Sequence, residues 1–95
     1  MRLIHRERLL DFAERFKEAE APLNTWAQAI VNGSFRHFVD LKGTFGCADY
    51  VKPYVVFNIS GNRYRLIALV NYSLGLVSVE HVLTHAEYDE GGWKH

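Results

Sequence analysis

From Tyr54 to Leu83 the sequence carries three β-strand patterns in succession, parted only by Ser60-Gly61-Asn62 and Ser73-Leu74-Gly75. Turns this short join strands that run in opposite directions, so the stretch predicts an antiparallel meander. The first strand, Tyr54 to Ile59, is dense in β-branched and aromatic residues. The second, Arg63 to Tyr72, alternates. Tyr64, Leu66, Ala68, Val70 and Tyr72 share one face, and Arg63, Arg65, Ile67, Leu69 and Asn71 share the other. The third, Leu76 to Leu83, sets Val77, Val79, His81 and Leu83 against Ser78, Glu80 and Val82. An apolar sheet face of this kind has to be covered.

The first third of the chain supplies the cover. Arg6 to Glu20 places Leu9, Phe12, Ala13 and Phe16 at helical spacing among charges. Ala21-Pro22 interrupts this helix, because the residue before proline avoids the α region and proline suits the first turn of a new helix. The second helix carries Leu23, Trp26, Ala27, Ile30 and Val31 as one stripe and ends at Asn32-Gly33, with Gly33 expected as a left-handed cap. A weaker strand is expected over Phe35 to Leu41, followed by a Gly-rich loop from Lys42 to Asp49. After the third strand, Thr84-His85-Ala86-Glu87 has the form of a capping box and predicts a short helix starting at His85. The expected fold is α+β, with an N-terminal helical hairpin packed on an antiparallel sheet and a short C-terminal helix.

Composition narrows the class. The 95 residues are 48% hydrophobic, enough for one core, and residues 1–95 are expected to form a single domain. No apolar run approaches the roughly 18 residues of a membrane span, and the N-terminus lacks the apolar segment of a secretion signal. A cytoplasmic protein with no membrane partner is expected. The single cysteine, Cys47, excludes an internal disulfide framework and a multi-cysteine metal site. His81 and His85 lie four apart, but the strand-to-helix junction falls between them, so neither a metal nor another cofactor is expected. His5, His37 and His95 are expected on the surface.

The formal net charge is zero, but its distribution is uneven. Residues 34–65 hold Arg36, Lys42, Lys52, Arg63 and Arg65 against Asp40 and Asp49, five minus two, or +3. Residues 66–95 hold Lys94 against Glu80, Glu87, Asp89 and Glu90, one minus four, or −3. A basic middle segment allows a local anion site on a neutral protein. In an antiparallel meander the end of the third strand lies beside the start of the second. Arg63 or Arg65 is therefore expected to approach His85 and Tyr88. Guanidiniums, an imidazole and a phenol at a helix N-terminus suit a phosphodiester. The competing reading puts Arg63 and Arg65 on a solvated sheet face, with His85 an ordinary first-turn residue and Tyr88 packing its own helix.

The segment Lys52-Pro53-Tyr54-Val55-Val56-Phe57-Asn58-Ile59, the element Gly61-Asn62-Arg63-Tyr64-Arg65-Leu66-Ile67-Ala68 and the terminal Thr84-His85-Ala86-Glu87-Tyr88-Asp89 resemble HigB-type toxins of bacterial toxin–antitoxin pairs. The N-terminal helical hairpin fits the same family, so the resemblance runs through nearly the whole chain. It implies a RelE-like fold, with two helices on a curved antiparallel sheet. It also implies a toxin that cleaves messenger RNA during translation on the ribosome, as an endoribonuclease (mRNA interferase). The implied partner is a HigA-type helix-turn-helix antitoxin, and operator DNA would be met only through the toxin–antitoxin complex. The matching site positions are Arg65, His85 and Tyr88 as catalytic residues, with Lys52, Arg63, Arg36 and Lys42 expected to bind RNA. The chemistry expected of these residues is metal-free attack of a 2′-hydroxyl on the adjacent phosphate. The tail from Glu90 to His95 departs from the family, being acidic before Lys94. The alternative function is a non-catalytic RNA- or protein-binding module acting in operon repression.

Overall fold

The computed structural model describes residues 1–94; His95 and the surface position expected for it lie outside the described residues. In chain order the elements are β1 (Arg2–Ile4), α1 (Glu7–Arg15), α2 (Glu20–Asn32), α3 (Phe38–Thr44), β2 (Asp49–Val51), β3 (Tyr54–Ile59), β4 (Tyr64–Asn71), β5 (Leu76–Thr84) and α4 (His85–Glu90). Single 3₁₀ turns at Lys17–Ala19 and Gly92–Lys94 complete the chain. The strands form one sheet in the order β1-β5-β4-β3-β2. The expected meander is β3-β4-β5, antiparallel throughout, with Val55 opposite Ala68 and Tyr64 opposite Thr84.

Five expectations are corrected. The first helix does not run from Arg6 to Glu20. It stops at Phe16, which is extended (φ −130°, ψ 90°). That bend turns the Phe16 ring onto Phe12, 4.8 Å away, and Tyr64, 5.8 Å away. Pro22 then sits inside the first turn of α2, where a missing N–H costs nothing because those donors have no intrahelical partner. Gly33 is not left-handed (φ −91°, ψ 164°). Its need for glycine is steric, because a Cβ there would lie 2.6 Å from the Phe35 ring and 2.9 Å from the Ala29 carbonyl oxygen.

The expected strand over Phe35 to Leu41 is mostly helix, α3, and the expected loop from Lys42 begins inside it. His37 caps this helix, its Nδ1 accepting from the Asp40 N–H at 3.2 Å. The aromatic content suits a strand, but Phe38, Leu41 and Phe45 recur at i, i+3 and i+7, a helical spacing. Their rings and chains pack on the sheet, with Phe45 5.1 Å from Phe57. The sheet is also mixed. The three-residue β1 pairs parallel with the start of β5, Leu3 opposite Val77. The α-amino group of Met1 ties β1 to the end of α2 by donating to the Ile30, Val31 and Gly33 carbonyls.

The helices α1, α2 and α3 cover one face of the sheet. Leu66, Ala68, Val77, Val79 and Phe57 point into this layer and meet Phe12, Leu23, Trp26 and Ile30. The opposite face carries a smaller cluster of Val56, Ile67 and Trp93, and its cover is the C-terminal segment after β5. A β-bulge connects the two regimes. Ala68 pairs with Val79, but Ile67 pairs with His81, so Glu80 is an extra residue on β5. Arg8 steadies the bulge by donating to the Val79 and Glu80 carbonyls at 2.9 and 2.8 Å. The bulge also corrects the expected alternation. His81 does not share a face with Val77 and Val79; it lies opposite Ile67 on the outer face, as does Leu83 opposite Arg65.

Candidate functional site

The site is assembled on the outer face where β4 passes under α4. Arg65 is the fixed point. It sits two residues into the strand, between Asn58 of β3 and Leu83 of β5, and is 9% exposed. Its Nη1 donates to the Asn62 carbonyl at 3.3 Å and the Tyr64 carbonyl at 3.1 Å. Its Nη2 donates to Asn62 Oδ1 at 3.1 Å. Among the described residues no carboxylate forms an ion pair with it. A buried charge held only by neutral acceptors is costly, and proteins retain such groups chiefly where function needs them.

The lid over this guanidinium comes from the C-terminus. Thr84 caps α4 as expected: Glu87 N–H donates to Thr84 Oγ1 at 3.2 Å, and Thr84 N–H donates to Glu87 Oε1 at 2.9 Å. The cap fixes where α4 starts and so brings Tyr88 over Arg65, 5.5 Å from guanidinium carbon to ring centroid. Gly91, left-handed at φ 78°, ends the helix and lets the chain turn back. That return lays Trp93 flat on Tyr88, centroids 5.1 Å apart and planes 13° apart. The indole N–H donates to the Tyr88 carbonyl at 2.9 Å, and the far edge of Trp93 meets Tyr54 at 5.7 Å. Guanidinium, phenol and indole thus form one stack on the sheet.

His85 stands at the rim. Its backbone N–H donates to the Arg63 carbonyl at 3.1 Å, which fastens α4 to the start of β4. Its half-exposed imidazole faces Asp89, Nδ1 to Oδ2 3.0 Å, and lies three residues before Tyr88 on the same helix. The meander therefore brings Tyr88 over Arg65 and the backbone of His85 against that of Arg63. On the helical side of the sheet the Glu18 carboxyl is held below its usual range by its own backbone N–H, the Tyr64 hydroxyl and the charge of Arg63. Glu18 Oε1 accepts from the Tyr64 hydroxyl at 3.0 Å, and burial followed by this carboxylate raises the phenol above its usual value.

The remaining basic positions do not join the cluster. Lys52 occupies the turn between β2 and β3, beyond Tyr54. Tyr54 is four residues from Asn58 along β3, about 13 Å at 3.3 Å per residue, so Lys52 lies at the other end of the sheet from Arg65. Arg36 pairs with Asp40 at 3.5 Å, and Lys42 donates to the Ala48 carbonyl at 2.8 Å, both at α3. That helix packs on the opposite face of the sheet. Two contributors escaped the sequence reading. The sequence marks Asn62 as a turn residue and part of the Gly61-to-Ala68 element but not as a partner of Arg65, and it gives Trp93, in the tail, no role. The signal for Trp93 was present: a large aromatic behind Gly91-Gly92, in a short acidic tail, has to be buried somewhere.

Among the described residues no three His, Cys, Asp or Glu side chains gather as a metal cage, and no helix is long and apolar enough to cross a membrane. What the corner offers is a fixed guanidinium beneath a phenol, with His85 on the first turn of the same helix and its imidazole paired with Asp89. Comparison with known proteins gives this chain a family. Residues 19–91 match the HigB toxin family, described as the RelE-like toxic component of a toxin–antitoxin system. The mRNA interferase toxin HigB of Escherichia coli strain K12 is 33% identical over 92 residues, covering 94% of this chain and 88% of that protein. The proteins named mRNA interferase HigB of Escherichia coli O157:H7 and Shigella flexneri are similar to the same extent. The α+β architecture, with its helices on one sheet face and a short C-terminal helix on the other, agrees with that kinship: the chain belongs to the HigB family of RelE-like toxins.

Proposed function

We propose that this chain is an endoribonuclease, an mRNA interferase whose reaction centre is the corner formed by Arg65, Tyr88 and His85. One observation carries the reading. Arg65 is buried beneath Tyr88 with carbonyl oxygens as its only protein acceptors among the described residues. Its charge is thereby left for an anion, and a guanidinium fork matches two oxygens of a phosphate. The reaction uses no metal. The ribose 2′-oxygen bonds to the adjacent phosphorus while the bond from phosphorus to the 5′-oxygen breaks. One group takes the 2′-hydroxyl proton and another gives a proton to the leaving 5′-oxygen. Arg65 stabilises the charge gathered on the phosphoryl oxygens. His85 moves a proton at the rim, and Tyr88 orients the nucleotide or shares the proton transfer. Arg63 supports the charge from the edge of the site. Lys52, Arg36 and Lys42 are too remote to share that phosphate and meet RNA only as a distant electrostatic footprint.

In this reading residues 1–95 act as one cytoplasmic toxin domain that cuts mRNA on the translating ribosome. A HigA-type helix-turn-helix antitoxin neutralises it and carries it to operator DNA. Induction of the chain alone arrests growth, and co-expression of the antitoxin restores it. Arg65→Ala lowers the cleavage rate about 10²- to 10³-fold and abolishes the arrest. Parental toxicity of Arg65→Ala at equal expression sinks the assignment. A parental protein that binds RNA without cutting it points instead to a binding module in operon repression.

A further inference from the structure

We infer that Asn62 is a positioning residue that holds the Arg65 guanidinium in its working orientation while leaving its positive charge intact; the inference rests on the function proposed above. Asn62 contributes two of the three oxygens that Arg65 meets, its carbonyl at 3.3 Å and its side-chain Oδ1 at 3.1 Å. A guanidinium only donates, so the amide atom facing it has to be the oxygen. The β3–β4 turn puts it there. Ser60 and Gly61 both adopt left-handed φ, 54° and 66°, and the chain curls so that residue 62 faces back toward residue 65. These bonds, with the one to Tyr64, take up three of the five guanidinium donors. Among the described residues Nε–H and one Nη2–H have no acceptor and are left for phosphate oxygens.

The chemistry at position 62 matters as much as its geometry. A carboxylate in the same place would tether Arg65 at least as firmly, because hydrogen bonds between charged groups are the stronger ones. It would also cancel the charge that a phosphate has to find. An amide oxygen fixes the group without neutralising it. Asparagine therefore meets both demands, and aspartate, nearly identical in shape, meets only the first.

The test compares Asn62→Asp, Asn62→Ala and Arg65→Ala with the parent. The readouts are cleavage of a reporter mRNA in a translation extract, the melting temperature, and the Arg65 Nε–Hε signal in ¹⁵N NMR. Asn62→Asp is expected to melt at or above the parental temperature, to keep an ordered Nε–Hε signal, and to cleave about 10²-fold more slowly. Asn62→Ala is expected to melt slightly lower and to cleave about tenfold more slowly, the scale of one lost hydrogen bond. Parental cleavage by Asn62→Asp beside a dead Arg65→Ala overturns the role of Asn62 alone. Parental cleavage by Arg65→Ala overturns the reading of the site, and this inference with it. Should Asn62→Asp fail to fold, Asn62→Ala decides, and an unchanged cleavage rate there overturns the proposal.

Discussion

The two faces of the sheet are built on opposite terms. The helical face is closed by apolar side chains, with Leu66, Ala68, Val77 and Val79 wholly buried against Phe12, Leu23 and Ile30. Among the described residues the outer face buries Val56, Ile67 and Trp93, and beside them a guanidinium. Apolar burial stabilises by about 25 cal/mol per Å², whereas an uncompensated buried charge costs several kcal/mol. The first face therefore holds the chain together, and the second is free to hold a charge the fold does not need. A protein this small manages both by keeping them on opposite sides of one layer.

That division can be broken by experiment. Phe57 lies at the centre of the helical face, in contact with Trp26 and Phe45. Phe57→Ala is expected to cost about 3–5 kcal/mol in a urea melt, a large share of a small domain's total. Trp93→Ala truncates a larger side chain on the outer face, yet it should cost less global stability. Its loss frees α4 and the turn behind it rather than the core. Hydrogen exchange is expected to show amide protection lost over residues 85–94 and kept in β3 to β5, with cleavage falling because Tyr88 loses its support. Equal loss of global stability in the two variants would mean that the faces are not separate.

The smallest effect tests the seam between the faces. The Glu18 carboxyl is lowered from its ordinary 4.5 by its own backbone N–H and then by the Tyr64 hydroxyl. A lowered carboxyl contributes stability above its ordinary value and loses it as pH falls through the folded value. Tyr64→Phe removes one cause of the lowering, so its stability should decline less between pH 5 and pH 3 than the parent's. A parental acid limb in that variant would show that the hydroxyl has no share in it. At alkaline pH the sign reverses. The phenol, raised above 10.0 mainly by burial, contributes stability below that value and loses it as pH climbs through the folded one.

Much of this was legible in the residues, for identifiable reasons. The meander announced itself because Ser60-Gly61-Asn62 and Ser73-Leu74-Gly75 are local signals flanked by period-two runs. The capping box was equally local, and with the meander it sufficed to bring Tyr88 and His85 to the start of β4. What escaped was set by distant contacts. β1 is three residues long and exists because the start of β5 offers an edge to pair with. α3 mimicked a strand because its aromatic residues suit either element, and its cap is a histidine rather than the usual hydroxyl or carboxylate. Lys52, Arg36 and Lys42 looked close to Arg65 in a list of charges, and only the topology separates them. Trp93 could be placed only once the path of the tail was known.

The surplus residue at Glu80 has a consequence for reading relatives of this chain. Strict alternation along β5 would send Leu83 inward and Val82 outward, and with them the direction in which the chain leaves at Thr84. One additional peptide unit, anchored by Arg8, reverses that parity halfway along the strand. The side of the molecule on which the last helix lands is thus a matter of counting rather than of residue identity. A homologue lacking a single position here could match every named side chain and still carry its imidazole on the wrong side of the sheet.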